Sequence, residues 1–191
     1  MIGGSMSINP IRLHGNWDEG WALDTHVVSS EHDGDDAFHT TRSRIGELTY
    51  QLKYRNVNTI EEIVALAAIF FDKWEVLREV DVIMPAPPSK VRDIQPVFGI
   101  AHSIAEKYKI TYRDDVLLKS SEAESKNMAG AKRLLTGSIT VLKKTKKVRN
   151  ILLIDDLYST GATLRECVER LQQNYSAGKV YVVTMTRNKS R

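Results

Sequence analysis

The sequence predicts an α/β domain built on a mainly parallel sheet. Short apolar runs alternate with helical periodicity from about residue 80 onward, the pattern of strands joined by crossover helices. One of these runs, Ile151-Leu152-Leu153-Ile154, is apolar without interruption, as a strand covered on both faces must be. That run ends in two adjacent carboxylates and a hydroxyl-rich loop, and a helix follows. The 191 residues suffice for one domain with a substantial core. A composition of 42% hydrophobic and 27% charged residues is that of a globular protein.

In chain order, residues 10–15 and 21–28 read as two short strands around the polar turn 16–20. Residues 29–36 are acidic and read as a mobile loop. Ile45, Leu48 and Leu52 recur at helical spacing, and a second helix is expected over 59–74, with Thr59 and Glu62 as a capping box. Residues 80–84 form a β-branched strand that the Pro-rich stretch 85–88 stops. Ile100, Ala101 and Ile104 share one face of a helix over 95–107. A strand is expected over 115–118, a polar loop over 120–131, and strands over 138–142 and 148–154 around the basic turn 143–147. A helix over 162–173 and a strand over 180–185 complete the chain.

Composition excludes several classes. A net charge of +3 is too mild for a nucleic-acid coat protein, and the lysines of 143–147 read as a solvated hairpin turn. Cys167 is the only cysteine, so an internal disulfide or cysteine zinc site is excluded, and a reducing cytoplasm is expected. No apolar run is long enough to cross a bilayer, and the N-terminus lacks the pattern of a secretory signal. His14, His26, His32 and His39 with Asp33, Asp35 and Asp36 lack compact ligand spacing and read as a solvated segment. Trp17 and Trp21 suit an acceptor pocket or the core equally.

The chemistry concentrates in residues 151–164. The carboxyl end of a parallel strand is where open α/β sheets bind ligands. A loop entering a helix offers free N–H groups and a positive dipole end to a phosphate. Gly161 permits close backbone approach, and Ser159, Thr160 and Thr163 add hydroxyl donors. Asp155 and Asp156 are acceptors suited to vicinal sugar hydroxyls or a metal-bound water.

Residues 153–164 resemble the phosphoribosyl pyrophosphate (PRPP) motif of type I phosphoribosyltransferases. The resemblance implies a central parallel sheet flanked by helices, a flexible loop and a small N-terminal hood, here residues 1–40 ahead of a core over 41–191. It implies that Asp155 and Asp156 bind the ribose hydroxyls and that Tyr158, Ser159, Thr160, Gly161, Ala162 and Thr163 bind the 5-phosphate. The turn after the first core strand, with Ala86, Pro87, Ser89 and Lys90, is implied to bind pyrophosphate. Arg92 and Lys126 are the candidate catalytic cations, Lys126 within a loop over 119–133 that also carries Lys119, Lys132 and Arg133. The runs 92–110 and 50–54 are similar to the ComF subgroup, without its N-terminal zinc finger. An acidic residue precedes the Thr-Gly pair in hypoxanthine-type enzymes; Ser159 stands there, which disfavours a 6-oxopurine role.

These features predict an enzyme, a pentosyltransferase that uses PRPP and Mg2+ to transfer a phosphoribosyl group to a nitrogen nucleophile with release of pyrophosphate. The alternative is a non-catalytic PRPP- or nucleotide-binding regulator, or a ComF-like accessory of DNA uptake. The superfamily's habit implies a homodimer, and the mild charge gives little support to a nucleic-acid partner.

Overall fold

Six strands form the central sheet, and five of them run parallel. The computed structural model describes residues 7–33, 37–88, 95–119, 139–143 and 149–189. The strands are β1 (Ile11–Arg12), β2 (Glu19–Thr25), β5 (Val82–Pro85), β6 (Thr111–Tyr112), β9 (Arg149–Tyr158) and β10 (Ala177–Arg187). Their order is β1-β2-β10-β9-β5-β6, and only β1 is antiparallel. Two antiparallel pairs lie outside this sheet: β3 (Val27–Asp33) with β4 (Ala37–Arg42), and β7 (Leu117–Lys119) with β8 (Ile139–Val141). The helices are α1 (Arg44–Tyr54), α2 (Ile60–Phe71), α3 (Pro96–Tyr108) and α4 (Ala162–Asn174), with a 3-10 turn at Glu75–Glu79.

The uninterrupted apolar run works as its composition requires. Ile151, Leu152, Leu153 and Ile154 are fully buried. Because side chains alternate along a strand, Leu152 and Ile154 join α1, α2 and α3 on one face, while Ile151 and Leu153 join α4 and the β7–β8 pair on the other. Each such side chain contributes ~1.5–3 kcal/mol by burial. The two-sided core fixes the register of β9, and with it the place where Asp155 and Asp156 emerge.

Several expectations are corrected. Residues 29–33 are not a mobile loop: they pair with β4 from Asp33↔Ala37 to Ser29↔Thr41. Within the stretch 1–40, β2 lies beside β10 in the main sheet and β3 belongs to the separate pair. Thr59 caps α2 by position, but its hydroxyl donates to the Leu48 carbonyl (2.8 Å) and so ties α2 to α1; no capping box forms. β8 and β9, on either side of the basic stretch, do not pair with each other as the expected hairpin requires: β8 pairs with β7, and β9 with β10 and β5; residues 144–148 lie outside the described residues. Lys143, the described lysine of that stretch, is bonded to Asp115. Trp17 and Trp21 both have packing roles. Trp17 is buried against Gly15 and Gly20 and donates to the Leu13 carbonyl, while Trp21 packs on Phe70 under the Arg12 guanidinium. Cys167 is fully buried in the core. No described helix is long and apolar enough to cross a membrane.

Candidate functional site

A cleft of about 360 Å³ opens at the carboxyl end of the sheet. Asp155 to Leu164 form one wall, and Lys53, Tyr54, Pro87, Pro88 and Gln95 lie among the residues of the other. The local sequence explains this shape. The last buried residue of β9 is Ile154, and from Asp155 onward the strand is only partly covered. Gly161 then turns the chain into α4 with φ +76°, in the left-handed region that disfavours other residues. A Cβ there would lie 2.7 Å from the Tyr158 ring, so the glycine also makes room for that ring. Tyr158 is held from behind by Trp17, edge to face at 6.4 Å.

The two carboxylates are held differently. Asp155 Oδ1 accepts the Asp156 backbone N–H at 2.8 Å. Asp156 Oδ2 accepts Lys53 Nζ at 2.7 Å, and both of those side chains are largely covered. One oxygen of each carboxylate is thus engaged by the protein; the other has no bonding partner among the described residues. Burial, and then the neighbouring Asp156 charge, push the Asp155 carboxyl well above the ordinary value of 3.8, against the opposing pull of the Asp156 N–H, Lys53 and Lys119. Behind the pair, Thr186 donates to the Asp156 carbonyl and pairs with His26 Nδ1 at 3.2 Å. Burial, then Arg42 and Lys53, lower the basicity of His26.

At the far end of the same wall the loop presents donors. The backbone N–H groups of Thr160, Gly161 and Thr163 have no protein acceptor among the described residues. The Thr160 hydroxyl accepts from the Ala162 N–H at 3.3 Å, and the Thr160 carbonyl accepts the Arg165 guanidinium at 2.7 Å. Lys119 Nζ lies 3.3 Å from the Thr163 hydroxyl. Ser159, Thr160 and Ala162 are exposed on the cleft.

The residues singled out in sequence fall into three groups. Asp155, Asp156 and Tyr158 to Thr163 are brought together on one wall. Pro87 lies opposite them, while Ala86 is a core residue, 2% exposed, whose N–H donates to the Ile154 carbonyl. Ser89, Lys90, Arg92 and Lys126 lie outside the described residues. Sequence reasoning missed Lys53 and Tyr54 as cleft residues. Leu48 and Leu52 fix which face of α1 is buried, but nothing in the pattern indicates that the next residue meets β9. Among the described residues no group of three or more His, Cys, Asp and Glu side chains is placed to hold a metal ion.

No family model matches the chain. It is 34% identical over 108 residues to Competence protein ComFC of Bacillus subtilis (strain 168). The match takes in 56% of this chain and 45% of ComFC, so the chain spans less than half the length of that relative. Among solved structures it is similar to adenine phosphoribosyltransferase from Saccharomyces cerevisiae, with 11% identity, a TM-score of 0.49, and coverage of 85% of this chain and 84% of that one. Adenine phosphoribosyl transferase from Trypanosoma brucei, in complex with AMP, pyrophosphate and ribose-5-phosphate, gives 16% identity, a TM-score of 0.48, and coverage of 93% and 74%.

Proposed function

We propose that the chain is a phosphoribosyltransferase that transfers the 5-phosphoribosyl group of PRPP to a nitrogen nucleophile. The observation that carries this reading is the division of labour along one wall of the cleft. Two adjacent carboxylates each keep one oxygen without a partner among the described residues, which suits vicinal hydroxyls. A short distance along the chain, a loop of hydroxyls and of N–H groups that have no acceptor among the described residues suits a phosphate. A ribose 5-phosphate carries both functions at its two ends.

In this reading the sugar is held between Asp155–Asp156 and the 159–163 loop, with its anomeric carbon toward the Pro87 side. The bond from that carbon to pyrophosphate breaks as a nitrogen lone pair forms the new bond. The protein's contribution is orientation and compensation of the leaving charge rather than covalent chemistry. The resemblance to the phosphoribosyltransferases assigns Arg92 and Lys126, both outside the described residues, to the pyrophosphate. Two carboxylates facing one cleft fit a hydrated magnesium ion held through water better than a directly ligated one. Asp155 and Asp156 would hold it, and when bound it supplies neutralisation of pyrophosphate oxygens.

The test is a calorimetric titration with PRPP, with and without magnesium, followed by assay of pyrophosphate release with amine and heterocyclic acceptors. Replacing both carboxylates (Asp155→Asn with Asp156→Asn) removes two charged acceptors worth about 1.5–3 kcal/mol each, so binding is expected to weaken by on the order of 100-fold or more. Equal binding by the wild type and the double variant would refute the site. Binding without turnover on any acceptor would leave a PRPP-binding regulator.

A further inference from the structure

Lys53 approaches the site from outside the β9–α4 segment, and its placement is built rather than incidental. The helix that carries it is fixed at both ends. Ser43 caps α1, and its hydroxyl also donates to the Thr25 carbonyl at 2.5 Å. Gly46 sits so close to the His26 carbonyl that a Cβ would lie 2.5 Å from it. Near the other end, Leu48 and Leu52 are buried, and the Leu48 carbonyl accepts the Thr59 hydroxyl. The ammonium group therefore arrives at Asp156 on a rigid element, 2.7 Å from Oδ2, with only 17% of the lysine side chain and 14% of the aspartate exposed.

Two adjacent carboxylates create a difficulty for the ligand proposed above. A phosphorylated sugar is an anion, and two uncompensated negative charges in a partly covered cleft repel it over several ångströms. The second carboxylate must also be held if it is to accept a hydroxyl at a fixed point. One cation on one Asp156 oxygen, leaving the other for the hydroxyl, meets both requirements.

We propose that Lys53 is a positioning residue that fixes the Asp156 carboxylate for a sugar hydroxyl and cancels one of the two adjacent charges, so that the cleft accepts anionic phosphosugars. This rests on the phosphoribosyl reading of the cleft and adds to it a residue from α1. Its action runs through Asp156, and that makes it separable from a general contribution of α1 to folding.

The experiment is a double-mutant cycle read by calorimetric titration with PRPP and with ribose 5-phosphate, taken to millimolar ligand on proteins whose thermal unfolding is cooperative. Lys53→Met is expected to weaken binding about 10- to 100-fold, and Lys53→Arg to restore it to within about fivefold of wild type, because a guanidinium also pairs with a carboxylate. In an Asp156→Asn background, Lys53→Met should cost less than about twofold, since the carboxylate that Lys53 pairs with is gone and only its weaker, longer-range pull on Asp155 remains. If Lys53→Met does not fold, Lys53→Gln carries the same cycle. Failure of the wild type to bind either ligand overturns the phosphoribosyl reading and this inference with it. Wild-type binding that Lys53→Met leaves unchanged overturns the role of Lys53 alone. An equal loss in both backgrounds shows that Lys53 does not act through Asp156 and also overturns it.

Discussion

The two ends of the central sheet are built on opposite electrostatic plans. At the amino ends of the strands, charges alternate and polar groups are matched. Glu19 accepts both the Trp21 and Trp74 indole N–H groups at 2.7 Å and faces Arg12. Glu79 takes Lys179 and the Tyr181 hydroxyl, Asp18 accepts the Val180 N–H, and the Asn150 side chain joins the Glu79 carbonyl to the Lys179 N–H. At the carboxyl ends two like charges sit side by side, and N–H groups lack acceptors among the described residues. The amino-end groups just named satisfy one another. Among the described residues the carboxyl end leaves capacity unused, and the fold tolerates this because the β9 core beneath it is fully buried on both faces.

The sharpest way to break that contrast is Asp155→Asn. Asp155 holds its proton more tightly in the folded chain than in the unfolded one. A raised carboxyl pKa contributes stability at low pH that is lost as pH rises through the folded value. At pH 8 the wild type therefore carries the full cost of the buried charge, and the amide removes it. The variant is expected to lose at least tenfold in PRPP affinity while its unfolding midpoint rises by a few degrees, since ~1 kcal/mol moves a chain of this size by about 2–4 °C. A variant that loses both affinity and stability would place Asp155 among the structural groups.

The reciprocal change is at the amino end. Asn150→Ala deletes two side-chain hydrogen bonds that join the 3-10 turn, β9 and β10. A loss of about 1–2 kcal/mol follows from the usual net worth of such bonds. Thermal unfolding should therefore fall by about 2–8 °C, with PRPP affinity of the folded protein unchanged. Coupled loss of affinity would mean that the two ends are not independent.

How much of this was legible in the sequence follows the same division. The buried run 151–154, the carboxylate pair and the glycine before α4 were readable because burial, strand termination and positive φ each demand particular residue types in consecutive positions. The partners that complete the site were not. Lys53 lies 103 positions from Asp156, and a cation beside an apolar helical face looks like any solvated lysine. The pairing of β8 with β7 rather than β9 was hidden for a similar reason: short apolar runs flanking a basic stretch fit a hairpin equally well. Trp17 and Trp21 were ambiguous until their neighbours placed both indoles in packing roles.

The smallest expected effect concerns the support behind the carboxylates. His26 is partly buried, bonded to Thr186, and made less basic first by burial and then by Arg42 and Lys53. The unfolded chain takes up a proton near 6.5, and the folded chain resists it. A depressed histidine pKa therefore contributes stability at higher pH that is lost as pH falls below about 6.5. Wild-type unfolding midpoints should decline between pH 7.5 and 5.5, and His26→Gln, which keeps a polar contact to Thr186 but cannot titrate, should flatten that slope. If the slope persists in the glutamine variant, the proton is taken up elsewhere, and the polar layer beneath the Asp156 carbonyl is not the acid-sensitive part of the carboxyl end.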